Sequence, residues 1–274
     1  MPMVSIEHIL EQGSGKVNED SLVIGNNIYG VFDGATSLVP ATQNCLENPS
    51  VTGGLLASTI ARDTFAGNHY SLTRLAQSAN QAIMEKMVAN GIDLNRPEHL
   101  WSTSAAVVRL KDKCLEWFRT GDAQILLLNE NGSHTVLASQ PDHDYETLVM
   151  FKDSRDNTLS NPVLKRQVLK VRAGMNKRYG VLNGDPNAMK FAASGSVDLK
   201  GVETVLLFTD GLNLPSSVPS VQKDFGELVN TYRSSGLSGL HKKIRDIEQQ
   251  DPLRRKYPRF KCHDDIAAIA IRIK

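Results

Sequence analysis

Carboxylates placed at the ends of apolar runs are the feature of this 274-residue sequence best suited to chemistry. Asn18-Glu19-Asp20 precedes one run, Val31-Phe32-Asp33-Gly34 closes the next, Leu207-Phe208-Thr209-Asp210-Gly211 closes a strongly apolar one, and His263-Asp264-Asp265 opens the last. Gly121-Asp122 lies between two more. A single Asp-Gly reads first as a turn, because both residues favour turns. Five placements of the same kind ask for a further reason. Strand ends hold side chains rigidly and let several segments meet at one point. Carboxylates gathered in low dielectric repel one another unless cations compensate them. Oxygen ligands without Cys or His select Mg2+, Mn2+ or Ca2+ over Zn2+ or Cu2+. Two such ions about 3.5–4 Å apart share a bridging water, lower its pKa and clamp a phosphoryl group.

The elements that must carry these residues are mostly short strands. Runs at 21–24 and 28–32 flank Gly25-Asn26-Asn27 as a hairpin, and runs at 104–110, 114–119, 124–129 and 134–138 follow with short polar connections. Further strands are expected at 204–209 and 265–273, and such dense apolar runs suit strands buried on both faces. Helical spacing covers 54–65, and a second helix after Ser71 places Leu72, Leu75, Ala76, Ala79, Ile83 and Met87 on one face before Asn90-Gly91 stops it. Two more helices are expected near 220–233 and 237–249. Hairpins with helices grouped in pairs predict an α+β protein of two packed antiparallel sheets with helices outside. The connections at 35–52 and 153–188 show no periodicity and are expected to be long irregular loops.

Composition is that of a soluble globular chain, with 41% hydrophobic and 22% charged residues. A net charge of +1 gives no global attraction to nucleic acid or membrane. Cys45, Cys114 and Cys262 are too scattered for a disulfide framework or a thiolate zinc site, so reduced thiols are expected. The first residues do not read as a signal peptide and no run is long enough to span a bilayer. A cytoplasmic protein is the resulting expectation.

In order and spacing, the five carboxylate motifs together with Ser102-Thr103-Ser104 resemble the metal-dependent Ser/Thr protein phosphatases of type 2C, the PPM family, from about residue 12 onward. The resemblance implies a four-layer α-β-β-α sandwich of two antiparallel sheets flanked by helices. It also implies one phosphatase-like catalytic domain over 1–274 with a flap-like insertion around 153–188. By similarity Asp33 bridges two Mn2+ or Mg2+ ions, the Gly34 carbonyl ligates one, and Asp210 and Asp264 complete the other. Glu19 and Asp20 act largely through metal-bound water, Asp122 matches the residue of a weaker third ion, and Asp265 is secondary. The implied reaction is hydrolysis of phosphoserine or phosphothreonine in proteins, with a cognate kinase as partner and neither nucleic acid nor membrane involved.

Three departures from the family pattern stand in the sequence. Ala35 takes the place where many relatives carry a proton-donating His, and Lys16 is all that Gly13-Ser14-Gly15-Lys16 offers in place of a phosphate-binding arginine. Leu212-Asn213-Leu214 supplies no carboxylate for the third metal. Two other readings therefore stay open: a weakly active or inactive pseudophosphatase serving as a binding module, and a phosphatase of small molecules. Six basic residues and no acidic one lie between Asn157 and Gly184, and Arg254, Arg255, Lys256, Arg259 and Lys261 run up to Asp264. Each stretch is either a solvated loop or a surface that attracts phosphorylated segments. His263 is either a proton donor or an ordinary hydrogen-bonding residue.

Overall fold

The computed structural model describes residues 3–36, 38, 51–67, 69–153 and 161–274. Its strands are β1 (Val4–Glu11), β2 (Ser21–Ile24), β3 (Ile28–Gly34), β4 (Thr103–Leu110), β5 (Cys114–Thr120), β6 (Gln124–Asn129), β7 (His134–Val136), β8 (Ala193–Asp198), β9 (Val202–Phe208) and β10 (Ile266–Ile273). Its α-helices are α1 (Gly53–Ala66), α2 (Leu72–Ala89), α3 (Tyr145–Asp153), α4 (Pro162–Arg172) and α5 (Gly226–Gln249). The strands form two five-stranded sheets in the orders β1-β10-β9-β6-β7 and β2-β3-β4-β5-β8, every pair antiparallel.

Period-two alternation along the central strands builds three apolar layers, because successive side chains leave opposite faces of a sheet. Val31, Val108, Leu127, Leu207 and Ile269 fill the space between the sheets. Phe32, Ala105 and Val107 turn outward to α1 and α2, while Leu126, Leu206, Phe208 and Ala268 turn outward to α5. Four layers in the order α-β-β-α result. Strands covered on both faces are apolar without interruption, which is how β3, β4, β6, β9 and β10 read in the sequence.

Four elements differ from expectation. β1 is a paired strand that holds β10 from Val4↔Ile273 to Glu11↔Ile266, although His8 and Ile9 break its apolar alternation. β8 has almost no strand propensity; pairing with β5 imposes it, and Gly195 is the residue that leaves room for the Trp117 ring. The stretch at 153–188 is not irregular throughout. α4 starts at Pro162 with Asn161 as N-cap, its side chain accepting from the Val163 N–H, so the start signal of a helix was present and only its short apolar face concealed it. The two helices expected after residue 220 form one element that starts at Gly226 and turns sharply at Gly236, where φ is 67°. Glu7 of β1 accepts the Leu237 N–H that this break frees.

Most of the connection expected over 35–52, with Cys45, lies outside the described residues, and Cys114 and Cys262 are free thiols. No described helix is long and apolar enough to cross a membrane.

Close backbone approach binds β3 to α1. A Cβ on Gly34 would stand 2.4 Å from the Gly54 carbonyl oxygen and 2.5 Å from that of Glu19, and neither backbone can yield without shifting α1. Gly34→Ala is expected to cost about 1–3 kcal/mol, read as a lowered urea midpoint with an unchanged slope.

Candidate metal centre

Antiparallel pairing decides where the carboxylates go. The start of one strand lies beside the end of its neighbour, as Ser21↔Phe32 does in one sheet and Ala268↔Phe208 and Gln124↔Phe208 do in the other. Asp20 just before β2, Asp33 near the end of β3, Asp122 in the β5–β6 turn, Asp210 after β9 and Asp264 before β10 therefore lie at one edge of both sheets. Gly121, at φ 74°, makes the turn that presents Asp122. Beneath that turn Arg119 is buried, donates to the carbonyls of Ala123 and Ala138, and has its pKa lowered to about 10 by burial, against the opposing field of Asp122.

Carboxylate oxygens of Asp33, Asp122 and Asp210 lie within 4.8 Å of one another. Burial, then the fields of neighbouring carboxylates, pushes Asp20, Asp33 and Asp210 well above the usual carboxylate range. For Asp20 those neighbours include Asp264 and Asp210, and for Asp33 they include Asp20, Asp210, Asp122 and Asp264. Asp122 also suffers burial, but His143 and Lys223 outweigh it and its carboxyl falls below the usual value. Asp264 accepts from the Lys261 ammonium at 2.7 Å. Burial alone would lower Lys261, yet Asp264 and Asp265 hold its ammonium charged beyond the ordinary lysine range.

Two cavities of about 480 Å³ and 320 Å³ meet at this edge, sharing Asp122, Asp144, Asp210, Phe260, Lys261 and Asp264. Asp33 and Gly34 line the larger one. The Asp20 Oδ2 oxygen is buried without a hydrogen-bond partner. An orphaned carboxylate oxygen beside four further carboxylates suits hard divalent cations, which supply the ligand bonds and the charge compensation that the protein withholds.

The remaining expected residues are placed otherwise. Glu19 is buried, and its two oxygens accept from Thr36 and Thr52, each at 2.6 Å, so its carboxylate joins α1 to the loop after β3. Thr52 in turn caps α1. Lys16 is exposed and lines neither cavity. Asp265 is a buried clamp: its oxygens accept the Gly13 N–H at 2.7 Å and the Glu19 N–H at 3.0 Å, tying the approach to β2 onto the start of β10. His263 faces away, its Nδ1 2.7 Å from Glu248. Arg259 is drawn to Asp251 and Lys261 to Asp264, so the second basic cluster is largely consumed in local pairing.

A second group, which no strand-end motif announces, adjoins Asp122. His143 stacks on Tyr179 with ring centroids 3.9 Å apart, and its Nε2 lies 3.8 Å from Asp122 and 3.6 Å from Asp144. His143 and Asp144 sit in the polar run Asp142-His143-Asp144 ahead of α3, a composition that marks a loop as readily as a site. Lys223, 3.5 Å from Asp142, faces the same group.

This architecture is the fold of the PPM-type serine/threonine phosphatases. No protein-family model matches the sequence, and no curated protein does. Among solved structures, the catalytic domain of the serine/threonine protein phosphatase PstP in complex with two manganese ions is similar with a TM-score of 0.58 and 14% identity, covering 98% of each chain. The Mycobacterium tuberculosis phosphatase PstP/Ppp gives 0.59 and 16% over 99% of both chains, and Stp1 from Staphylococcus aureus 0.56 and 15% over 100% of this chain and 96% of that one. At these identities the shared property is the fold.

Raised carboxyl pKa values mean that, between the ordinary value of 3.8 and the folded-state value, the folded chain binds more protons than the unfolded one. Stability of the metal-free protein therefore falls as pH rises through that window. Melting without divalent cations is expected to show a higher midpoint near pH 5 than near pH 8, and Asp210→Asn should flatten that slope.

Proposed function

We propose that the chain is a metal-dependent phosphomonoesterase that hydrolyses phosphoserine or phosphothreonine in proteins, as one catalytic domain in which 153–188 acts as the flap. The observation that carries this reading is the convergence of Asp20, Asp33, Asp122, Asp210 and Asp264 at one sheet edge, where burial and neighbouring carboxylates push Asp20, Asp33 and Asp210 well above the usual carboxylate range. Asp33, Asp210 and Asp264, with Asp20 and Asp122 beside them and the Gly34 carbonyl in reach of the cavity, would hold two Mn2+ or Mg2+ ions. Bound there, such ions make water a nucleophile at neutral pH and neutralise charge on a phosphoryl group.

The chain's own residues orient that chemistry. Asp265 fixes the loop that carries Asp20. The Glu19 bonds to Thr36 and Thr52 hold the segment after Asp33. Phe151, Val168, Val171, Met175 and Phe260 form an apolar wall over the carboxylates and limit water around a bound ester. The named neighbours are serine/threonine phosphatases, one of them a serine/threonine protein phosphatase. That supports phosphoprotein over small-molecule substrates, and with it a cytoplasmic role opposite a kinase.

Hydrolysis of p-nitrophenyl phosphate and of a phosphopeptide panel is expected to require added Mn2+ or Mg2+ and to stop with a chelator. Asp33→Asn or Asp210→Asn should lower kcat by about 10³-fold or more while keeping the far-ultraviolet circular dichroism spectrum. Full activity in metal-free buffer would sink the reading. Specific phosphopeptide binding without turnover would favour the pseudophosphatase.

A further inference from the structure

A phosphate ester above the carboxylates needs a cation to draw its dianion into a negatively charged cavity. Lys16 is exposed and lines neither cavity, Lys261 is committed to Asp264 and Asp265, and Lys223 to Asp142. Arg254, which also lines the larger cavity, donates to the Phe260 carbonyl. Arg259, at the smaller cavity, pairs with Asp251, so among the described residues Arg172, the last residue of α4, remains.

Its surroundings are those of an anion anchor. Arg172 lines the larger cavity with Asp33, Asp210 and Asp264. It donates from Nη2 to the Thr36 carbonyl at 2.9 Å and from Nη1 to the Ser102 hydroxyl at 3.4 Å. Both acceptors flank the end of β3. Thr36 follows Asp33 by three residues, and the Ser102 carbonyl accepts the Ala35 N–H at 3.0 Å. The guanidinium is thus tethered to the chain segments that present Asp33, and its remaining N–H groups are open to a ligand. Among the described residues it forms no ion pair with a carboxylate. Lys165 and Arg166 of the same helix are exposed, and Lys170 pairs with Glu146 at 2.9 Å. The first basic cluster therefore splits into an outer face and one inward cation.

We propose that Arg172 is the phosphate-binding cation of the site, supplied by α4 rather than by the segment preceding β2. The inference rests on the phosphatase reading above. A rigid guanidinium fork matches two phosphate oxygens at once, and tethering to Thr36 and Ser102 removes much of the rotamer entropy that such a contact otherwise loses.

The test is calorimetric titration of the Mn2+-loaded protein with inorganic phosphate, each variant first titrated with Mn2+ alone. Arg172→Ala is expected to weaken phosphate binding roughly ten- to hundredfold, as loss of a charge-assisted hydrogen-bonded pair implies, with Mn2+ affinity unchanged. Arg172→Lys, which keeps the charge and loses the fork, should fall between, and it serves in place of the alanine variant should that one fail to fold. Arg166→Ala is the control for helix charge and should bind phosphate as the natural sequence does. Unchanged phosphate affinity in both Arg172 variants, with only a lowered melting midpoint, would make Arg172 a bracket for α4 and overturn the inference while the metal reading stands. Loss on Lys16→Ala instead would also overturn it. A protein that binds no Mn2+ would bring down the phosphatase reading itself.

Discussion

Electrostatic repulsion among carboxylates that antiparallel pairing forces together is the constraint on which the rest of this molecule depends. Asp20 is buried, Asp33 and Asp210 are half-buried, and neighbouring carboxylates raise the cost of ionising each of them. A chain without function would relieve this by pairing each acid or exchanging it for an apolar residue, since buried charge is weak support for stability. Here the relief is partial: Lys261 pairs with Asp264, and His143 with Lys223 compensates Asp122, while the carboxyls of Asp20 and Asp33 stay well above the usual range. The inner acids and the outer ones are thus electrostatically different populations within one cluster.

The surrounding scaffold resists that repulsion by covalent and hydrogen-bonded restraint rather than by charge. Gly34 and Gly54 pack backbone to backbone, Gly211 lies against the Asp265 carbonyl, and the Asp265 carboxylate clamps two N–H groups across the junction. A Cβ at Gly211 would come within 2.0 Å of that carbonyl oxygen. Strand ends held this tightly cannot splay to separate their charges, so Asp33, Asp122 and Asp210 stay close enough together to hold a metal ion.

The central strands, α1, α2 and the strand-end acids were legible because double-sided burial and helical spacing leave continuous signals in sequence. β8 was not, since Ala193, Ser194, Gly195 and Ser196 carry no strand preference and owe their state to β5. α4 concealed itself behind a short apolar face and a run of charges. Within the site, the acids of the five motifs could be named, but not their division of labour. That Glu19 spends its carboxylate on two threonine hydroxyls, or that His143 swings against Tyr179 beside Asp122, depends on contacts between segments more than 15 residues apart. Lys16, four residues before Asp20, is exposed and lines neither cavity, a placement that nearness in sequence does not fix.

The position of β10 has a consequence for how the molecule comes into being. It lies between β1 and β9, and β1 has no other strand neighbour. During synthesis β1 emerges long before residues 266–273, the segment with which it pairs. Asp264 and the Asp265 clamp arrive with them. Contacts of such long sequence separation form slowly. Until β10 is paired the chain lacks Asp264 and the Asp265 clamp, so the outermost acid and the tie that steadies the approach to β2 come into place together.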